Sequence, residues 1–489
     1  MEHDLIAALA TPFGSAALGV IRTSGPGAVA AIAALTDRHE AIVDAPGGTM
    51  KRALIVDPAG GETLDDVMLG VFREPRSYTG EEAVEIYCHG SIPGIQAILA
   101  LLYRSGYRPA DPGEFTQRAF LAGKIDLTRA EAVQEIVSSQ TVVGHEMALR
   151  RLGGSIEGAI NDVKAVLVRI MAQVAVQLDY PDDEIDEVTI DPEPIRMARE
   201  RLSALAGSYR TGRLYQEGVT IAIAGRTNAG KSSLFNALLR EDRAIVSEIH
   251  GTTRDYISSR IDLEGIPVEI YDTAGLRETS ETIEEEGIRR TRALVTGTDL
   301  VLYVVDAVVG VTVEDVRILE EIVAAVEDRR RILLVLNKLD SIEKTVDTLD
   351  VHTDGTDSSA TTPDSVAVSP APETSYPDFV NNLVDTAPGT SAITMEGIDR
   401  LINRIVTTIV PGEQTKTGAP VIDSLRQKNL LDRAVEALDE VITGITAGVP
   451  VDAISVDLQE ALHALGEITG EVTSEDILDA VFSGFCVGK

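Results

Sequence analysis

The stretch that most restricts the fold is Gly225-Arg-Thr-Asn-Ala-Gly-Lys231-Ser232. Residues 219–224 before it are mostly apolar and rich in β-branched side chains, the pattern of a buried strand. Residues 233–239 after it read as the start of a helix. A strand, a glycine-rich turn and a helix in that order form a phosphate cradle. The glycines let backbone N–H groups converge on a polyphosphate, and the helix N-terminus adds partial positive charge. In such a cradle Lys231 reaches the β- and γ-phosphates and Ser232 holds Mg²⁺. An isolated match also arises by chance as a glycine turn, so the reading depends on what accompanies it.

Four further elements follow in order. Gly251-Thr-Thr-Arg-Asp255 offers the Thr253 hydroxyl as a second Mg²⁺ ligand when a γ-phosphate is present. Asp272-Thr-Ala-Gly275 follows a predicted strand, with Asp272 holding Mg²⁺ through water and the Gly275 N–H sensing the γ-phosphate. In Asn337-Lys338-Leu339-Asp340 the carboxylate accepts from guanine N1 and N2, which adenine cannot donate. Ser391-Ala392 then supplies a backbone N–H for guanine O6. The ordered set predicts a GTP-hydrolysing domain. Leu276 stands where Ras-like enzymes place a water-orienting Gln. Water placement therefore falls to another group, with the acidic run Glu284-Glu285-Glu286 and a cation bound near the amide oxygen of Asn228 as candidates.

Around these motifs the chain divides by pattern. Residues 1–123 mix short strands (16–21, 53–56, 66–72 and 83–87) with a helix over 92–102, as in an α+β domain. Residues 124–215 turn helical, over 140–152, 156–178 and 194–209, with Thr128 capping a run through Ile136. Residues 216–412 alternate strands and helices, as a doubly wound, mostly parallel sheet requires. Runs 268–271, 300–305 and 332–336 read as buried strands, and 312–326 as a helix. A second helical segment fills 413–489, with helices over 423–445 and 456–468. The two helical segments are expected to pack together, with the nucleotide domain inserted between them. Residues 341–388 are rich in Thr, Ser, Asp and Pro and read as an acidic, mobile insertion. Taken alone, Arg22, Glu85 and Lys124 read as solvated surface charges.

Composition sets the surroundings. The net charge is −35, and nine of the 43 basic side chains are lysine. Such a surface repels nucleic acid at low salt, but at molar salt the Debye length is about 3 Å and the repulsion disappears. The balance therefore predicts a halophilic host, a bacterium with a salty cytoplasm. Cys88 and Cys486 are too few for a disulfide framework, which predicts a cytoplasmic protein. The start carries Glu2 and Asp4 and lacks the basic region of a signal peptide, and no apolar run reaches the length of a membrane span.

Across nearly its whole length the chain resembles the tRNA modification GTPases of the MnmE/TrmE type. The resemblance rests on Ala10-Thr-Pro12, Gly19-Val-Ile-Arg22, Tyr78-Thr-Gly-Glu81, Pro112-Gly-Glu-Phe-Thr-Gln-Arg-Ala-Phe120 and Tyr180-Pro-Asp-Asp-Glu-Ile185. It continues through the cradle, Asp272-Thr-Ala-Gly-Leu-Arg277, Gly466-Glu-Ile-Thr-Gly-Glu471 and the highly specific Phe485-Cys-Val-Gly-Lys489. The likeness implies an N-terminal domain that binds 5-formyl- or 5,10-methylene-tetrahydrofolate and dimerises, a discontinuous helical domain, and an inserted Ras-like GTPase domain. It implies folate contacts from Arg22, Glu85, Lys124 and Lys489. It implies Mg²⁺ on Ser232 and Thr253, and K⁺ on Asn228, Ser247, the Ile249 carbonyl and Thr252, where Ser247 replaces the more usual Thr.

In the family pattern the nucleotide contacts extend over Asn228, Ala229, Gly230, Lys231, Ser232 and Ser233. They then take in Ser247, Glu248, Ile249, His250, Gly251, Thr252 and Thr253, followed by Asp272, Thr273, Ala274 and Gly275. Asn337, Lys338, Asp340, Ser391 and Ala392 complete the set. Glu284 is implied as the catalytic residue, orienting water through a bridging water once two GTPase domains meet across K⁺. Implied partners are a second copy, a flavin- and NADH-using protein in a heterotetramer or larger complex, and tRNA, whose wobble uridine gains a carboxymethylaminomethyl group. Cys486 reads as a packed residue near the folate pocket. The strand before Ser391 is poor, and 366–369 is an alternative. The rival reading, a ribosome-assembly or signalling GTPase acting as a binding switch, does not account for the terminal motif.

Overall fold

Residues 1–138, 148–207 and 424–489 form one unit, and 139–147 with 208–423 form another. The computed structural model describes residues 4–179, 190–240, 243–245, 257–272, 295–326, 328–342, 377–410 and 418–489.

The first unit opens with a six-stranded sheet. Its strands are β1 (Ile6–Leu9), β2 (Leu18–Ser24), β3 (Thr49–Asp57), β4 (Glu62–Phe72), β5 (Ala83–His89) and β6 (Arg108–Pro109). They lie in the order β3-β4-β5-β2-β1-β6. Only β1 and β6 pair in parallel, and the other pairs are antiparallel. Ile21, Val67, Leu69, Val71, Val84 and Ile86 bury one face against the helices Ala28–Ala33 and Ile92–Arg104. The latter helix starts at Ser91, whose hydroxyl accepts from the Gly94 N–H, and buries Ile95, Ile98, Leu101 and Leu102 at helical spacing. The short β1 and β6 went unread in the sequence; four and two residues carry too little periodicity to register.

The helical part of this unit joins both segments. Ser155–Asp179 buries Ile156, Ile160, Val163, Leu167, Ile170 and Val174, alternating steps of four and three. It packs against Val451–Thr469, which packs on Leu425–Ala447, which in turn packs on Glu193–Gly207. Arg426 ties the bundle to the helix Leu127–Ser138. Its Nε donates to Glu131 Oε1 at 3.0 Å, while Nη1 and Nη2 cap the carbonyls of Glu467 and Ile468. The expected cap Thr128 lies inside its helix. Asp126 is the cap, its Oδ1 accepting from the N–H groups of Thr128 and Arg129 and from the Thr128 hydroxyl. Gly470 ends Val451–Thr469 at φ 85°, and a Cβ there would lie 2.6 Å from Phe120 Cε2, so only glycine fits this turn.

After the helix Glu475–Phe482, the tail reaches the N-terminal sheet's connections. Val487 bridges Pro112, and the Lys489 carbonyl accepts from the Phe115 N–H at 3.1 Å.

The second unit holds a five-stranded sheet of order β11-β10-β7-β9-β8. Its strands are β7 (Val219–Ala224), β8 (Ile257–Leu263), β9 (Ile266–Asp272), β10 (Leu300–Asp306) and β11 (Ile332–Asn337). β7, β9, β10 and β11 run parallel. β8 joins β9 antiparallel through Glu264-Gly265, both at positive φ, the two-residue turn that matches strand twist. β11 is buried at every position and β10 at all but its last, as strands covered on both faces must be.

Helices Lys231–Leu238, Val313–Ala325 and Ile398–Ile409 cover the sheet. The end of the stretch read mostly as an insertion is ordered into structure. Residues 378–385 form a helix that buries Val380 and packs Phe379, Leu383 and Val384 on the same core, and Gly389 bridges Leu336 in parallel. Residues 343–376, with the alternative strand 366–369, lie outside the described residues, as does the 180–185 motif. Among the described residues no helix is long and apolar enough to cross a membrane.

Candidate functional site

The phosphate cradle follows β7. Gly225 (φ 139°) is pressed onto β10: a Cβ would lie 2.3 Å from the Val304 carbonyl. Asn228 adopts the left-handed conformation at φ 66°, one of few non-glycine residues among those described to do so. Gly230 (φ 92°) caps the helix Lys231–Leu238, whose first N–H groups face the loop. Lys231 is buried, and its Nζ donates to the carbonyls of Gly225 at 3.0 Å and Arg226 at 2.8 Å. Ser232 Oγ donates to Asp272 Oδ2 at 2.9 Å. A hydroxyl and a carboxylate, drawn from a helix start and a strand end, make the hard-oxygen pair that suits Mg²⁺. Ser233, next in the helix, is exposed.

The end expected to read the base is built on β11 and the loop at 388–392. Asn337 links it to the cradle. Its Nδ2 donates to the carbonyls of Ala229 at 3.2 Å and Gly230 at 3.4 Å, and its Oδ1 accepts from the Ala392 N–H at 3.2 Å. A Cβ on Gly230 would fall 2.2 Å from Asn337 Nδ2, and at φ 92° a side chain there is strained in any case. Lys338 (φ 70°) donates to the Asn228 carbonyl at 2.6 Å and to Asp306 Oδ2 at 2.7 Å. Asp340 Oδ1 accepts from Ser391 Oγ at 2.6 Å. The structure thus brings Ser391 to Asp340.

Asp306 was missed from sequence, although an acid ending a parallel strand is a signal for that edge of the sheet. Ser247, Glu248, Ile249, His250, Gly251, Thr252, Thr253, Thr273, Ala274, Gly275 and Glu284 lie outside the described residues.

A second constellation sits in the N-terminal sheet. Arg22 on β2 stands directly opposite Glu85 on β5. Its Nε donates to Glu85 Oε1 at 3.0 Å and its Nη1 to the Gly488 carbonyl at 3.2 Å. The guanidinium lies 5.7 Å from the ring centroids of both Tyr78 and Phe115. Tyr87 OH donates to Glu85 Oε2 at 2.7 Å. That hydrogen bond, with burial, pushes the Tyr87 hydroxyl up to about 12. Burial lowers the Lys489 ammonium, aided by the nearby Arg22 charge and opposed by Cys486. Lys124 Nζ donates to the Pro75 carbonyl at 2.7 Å, at the start of the loop carrying Tyr78.

Arg22 and Glu85 are therefore a half-buried, paired feature, not solvated charges. Cys486 is exposed, where a packed residue was expected, because the tail lays its backbone on the domain and leaves that thiol outward.

The motifs around Arg22 converge as a network. Glu114 is buried, and burial alone would raise its carboxyl. Hydrogen bonds from Arg108, the Asp111 N–H and Arg118 outweigh that and hold it low. Arg118 also reaches Glu81 at 3.1 Å and Asp4 at 2.7 Å, and Glu81 accepts from Ser24 at 2.8 Å. These bonds fix the loops that place Tyr78 and Phe115. Neither ring was singled out in the sequence, although both lie inside quoted motifs.

Comparison with known proteins agrees along the whole chain. A family model described as the N-terminus of the GTP-binding protein TrmE matches residues 5–124, and one described as the MnmE helical domain matches residues 127–486. The chain is 40% identical over 497 residues to the tRNA modification GTPase MnmE of Carboxydothermus hydrogenoformans, covering 100% of both chains. It is 38% identical over 492 residues to the protein of that name from Treponema denticola, covering 99% of this chain and 98% of the other. It is 36% identical over 492 residues to that of Latilactobacillus sakei, covering 100% and 99%.

Proposed function

The chain belongs to the MnmE family of tRNA modification GTPases, and from that membership we propose how its two sites divide the work. It is a GTP-hydrolysing enzyme of tRNA modification. The observation that carries the nucleotide reading is Asn337, whose amide joins the cradle at Ala229 and Gly230 to the base-reading loop at Ala392. Phosphate and guanine are thereby read by one connected piece.

Within it, backbone N–H groups and Lys231 bind the phosphates, Asp340 accepts from the guanine edge, and Ser391 orients Asp340. Ser232 and Asp272 would hold Mg²⁺, which would supply charge stabilisation to the transferring phosphoryl group. Asn228 would contribute an amide oxygen to K⁺, with Ser247, Ile249, Thr252 and the Mg²⁺ ligand Thr253 in the following loop. Such a cation supplies positive charge of the kind an arginine finger provides. Glu284 would orient the water that Leu276 cannot.

At the N-terminal site, Glu85 offers acceptor lone pairs beyond those its two donors use, and its partner Arg22 lies against the Tyr78 and Phe115 rings and feels the Lys489 charge. This donor set fits a tetrahydrofolate, which carries a heteroaromatic head with N–H donors and an anionic tail. We place Lys124 at its rim. The division into a folate-binding and dimerising domain, a discontinuous helical domain and an inserted GTPase domain follows the same proposal. So do the homodimer and the flavin-dependent partner that together install the carboxymethylaminomethyl group.

The test is nucleoside analysis of tRNA from a deletion strain complemented with this protein. Return of the modified wobble uridine supports the assignment. Unmodified tRNA beside a corrected ribosome profile would favour a binding switch.

A further inference from the structure

The second residue of the cradle holds partners outside it. Arg226 Nε donates to Glu314 Oε2 at 2.7 Å, and its Nη1 lies 3.8 Å from Asp315 Oδ2. Both acids lie in the first turn of the helix Val313–Ala325. Asp315 is itself fixed. It is buried, with Oδ1 accepting from Tyr303 OH at 3.0 Å and Oδ2 from the Thr312 N–H at 2.9 Å and hydroxyl at 2.6 Å. Tyr303 is fully buried on β10. A line of contacts therefore runs from a core strand, through a capped helix start, to the cradle. On the other side of the same residue, the Arg226 carbonyl accepts from Lys231 Nζ at 2.8 Å. Arg226 is tied outward by its side chain and holds the phosphate-binding lysine by its backbone.

We propose that Arg226 is a positioning residue for GTP hydrolysis, its tether to Glu314 and Asp315 setting the cradle geometry that places Lys231. The proposal rests on the GTPase reading of this site. Glu314 is 62% exposed, so its ion pair contributes little to folding stability. A displacement of about 1 Å at a group aligned on reacting phosphates, by contrast, can cost on the order of a hundredfold in rate. The expected signature is lost activity without lost stability. Because Lys231 meets charge that develops on the transferring phosphoryl group, the loss falls on kcat more than on KM.

The test compares Arg226→Gln, Arg226→Lys, Glu314→Gln and the double variant Arg226→Gln/Glu314→Gln in steady-state GTP hydrolysis with Mg²⁺ and K⁺, alongside thermal melting. Arg226→Gln should lose about tenfold in kcat with an unchanged melting temperature. Arg226→Lys should recover part of it, and the double variant should be no worse than Arg226→Gln, as residues acting through one contact behave. Hydrolysis by Arg226→Gln within about twofold of the parent, or losses that multiply in the double variant, overturns the tether. Should Arg226→Gln melt early, Arg226→Lys and Glu314→Gln decide the matter by the same rate criterion. A parent protein that hydrolyses no GTP overturns the reading of the site itself.

Discussion

Ser391 Oγ donates to Asp340 Oδ1 at 2.6 Å across 51 positions of sequence. The bond fixes one carboxylate oxygen of Asp340, the group proposed to accept from the guanine edge. Asp340→Asn should therefore reverse the base preference, because an amide presents an N–H that matches the 2-oxo group of xanthine and opposes the 2-amino group of guanine. Competition against labelled GDP should show GTP weakened by about 100-fold or more, with xanthosine triphosphate gaining. Ser391→Ala should keep the guanine preference and lose about fivefold, the worth of one hydrogen bond. An Asp340→Asn protein that still prefers GTP would remove Asp340 from base recognition.

Ser232 and Asp272 meet at 2.9 Å. If they hold Mg²⁺ together, Ser232→Ala should raise the Mg²⁺ concentration for half-maximal hydrolysis by about tenfold, one lost ligand being worth on the order of 1.4 kcal/mol. Excess Mg²⁺ should restore much of the rate. An unchanged Mg²⁺ titration would exclude Ser232 as a ligand.

The left-handed backbone at Asn228 allows a clean test of the K⁺ proposal. Glycine keeps φ 66° without strain while removing the amide oxygen. Hydrolysis by the parent should be several-fold faster in K⁺ than in Na⁺ at equal ionic strength, and Asn228→Gly should erase the difference. Glu284→Ala should bind GTP normally and hydrolyse it poorly. Equal parental rates in the two salts would sink the cation account.

At the N-terminal site, calorimetry with 5-formyl-tetrahydrofolate should show binding that drops at least about tenfold in Arg22→Gln and vanishes when Lys489 is deleted. The pH dependence has a definite sign. The Lys489 ammonium is depressed by burial, so its charge is lost as pH rises through a value below the ordinary lysine range of about 10.4. Binding should weaken on that alkaline side earlier than an exposed lysine would cause. Tyr87, in contrast, keeps its proton to about 12 and continues to donate to Glu85 over the same range. Folate binding that is flat through that range would separate Lys489 from the site.

The nucleotide domain was the most legible part of the sequence because its motifs are contiguous and three of them, at Gly225, Asp272 and Asn337, follow strands rich in apolar residues. Residues 219–224 coincide with β7, and the helix at 313–325 carries Thr312 and Asp315 as a full capping box. Contacts between distant positions were not legible. Nothing local announces that Asp306 receives Lys338, that Arg426 caps the end of another helix, or that Tyr78 and Phe115 flank Arg22. The helix Asp378–Asp385 was hidden by its polar neighbours, since Phe379, Val380, Leu383 and Val384 are only four apolar residues in a Ser- and Asp-rich stretch.

The stretches 1–138, 148–207 and 424–489 that build one unit are separated in the chain by most of the other. Gly113 is shaped to receive the tail: a Cβ there would lie 2.9 Å from Phe485 Cβ. On a ribosome adding about 5–20 residues per second, the interval between residues 115 and 485 lasts on the order of tens of seconds. Throughout that time the surface around Gly113 and Phe115 lacks its cover. All residues of the other unit, 139–147 and 208–423, are in the chain before that cover is made. The last residues of the chain therefore close a surface made near its beginning, so that surface is completed only once the whole middle has been made.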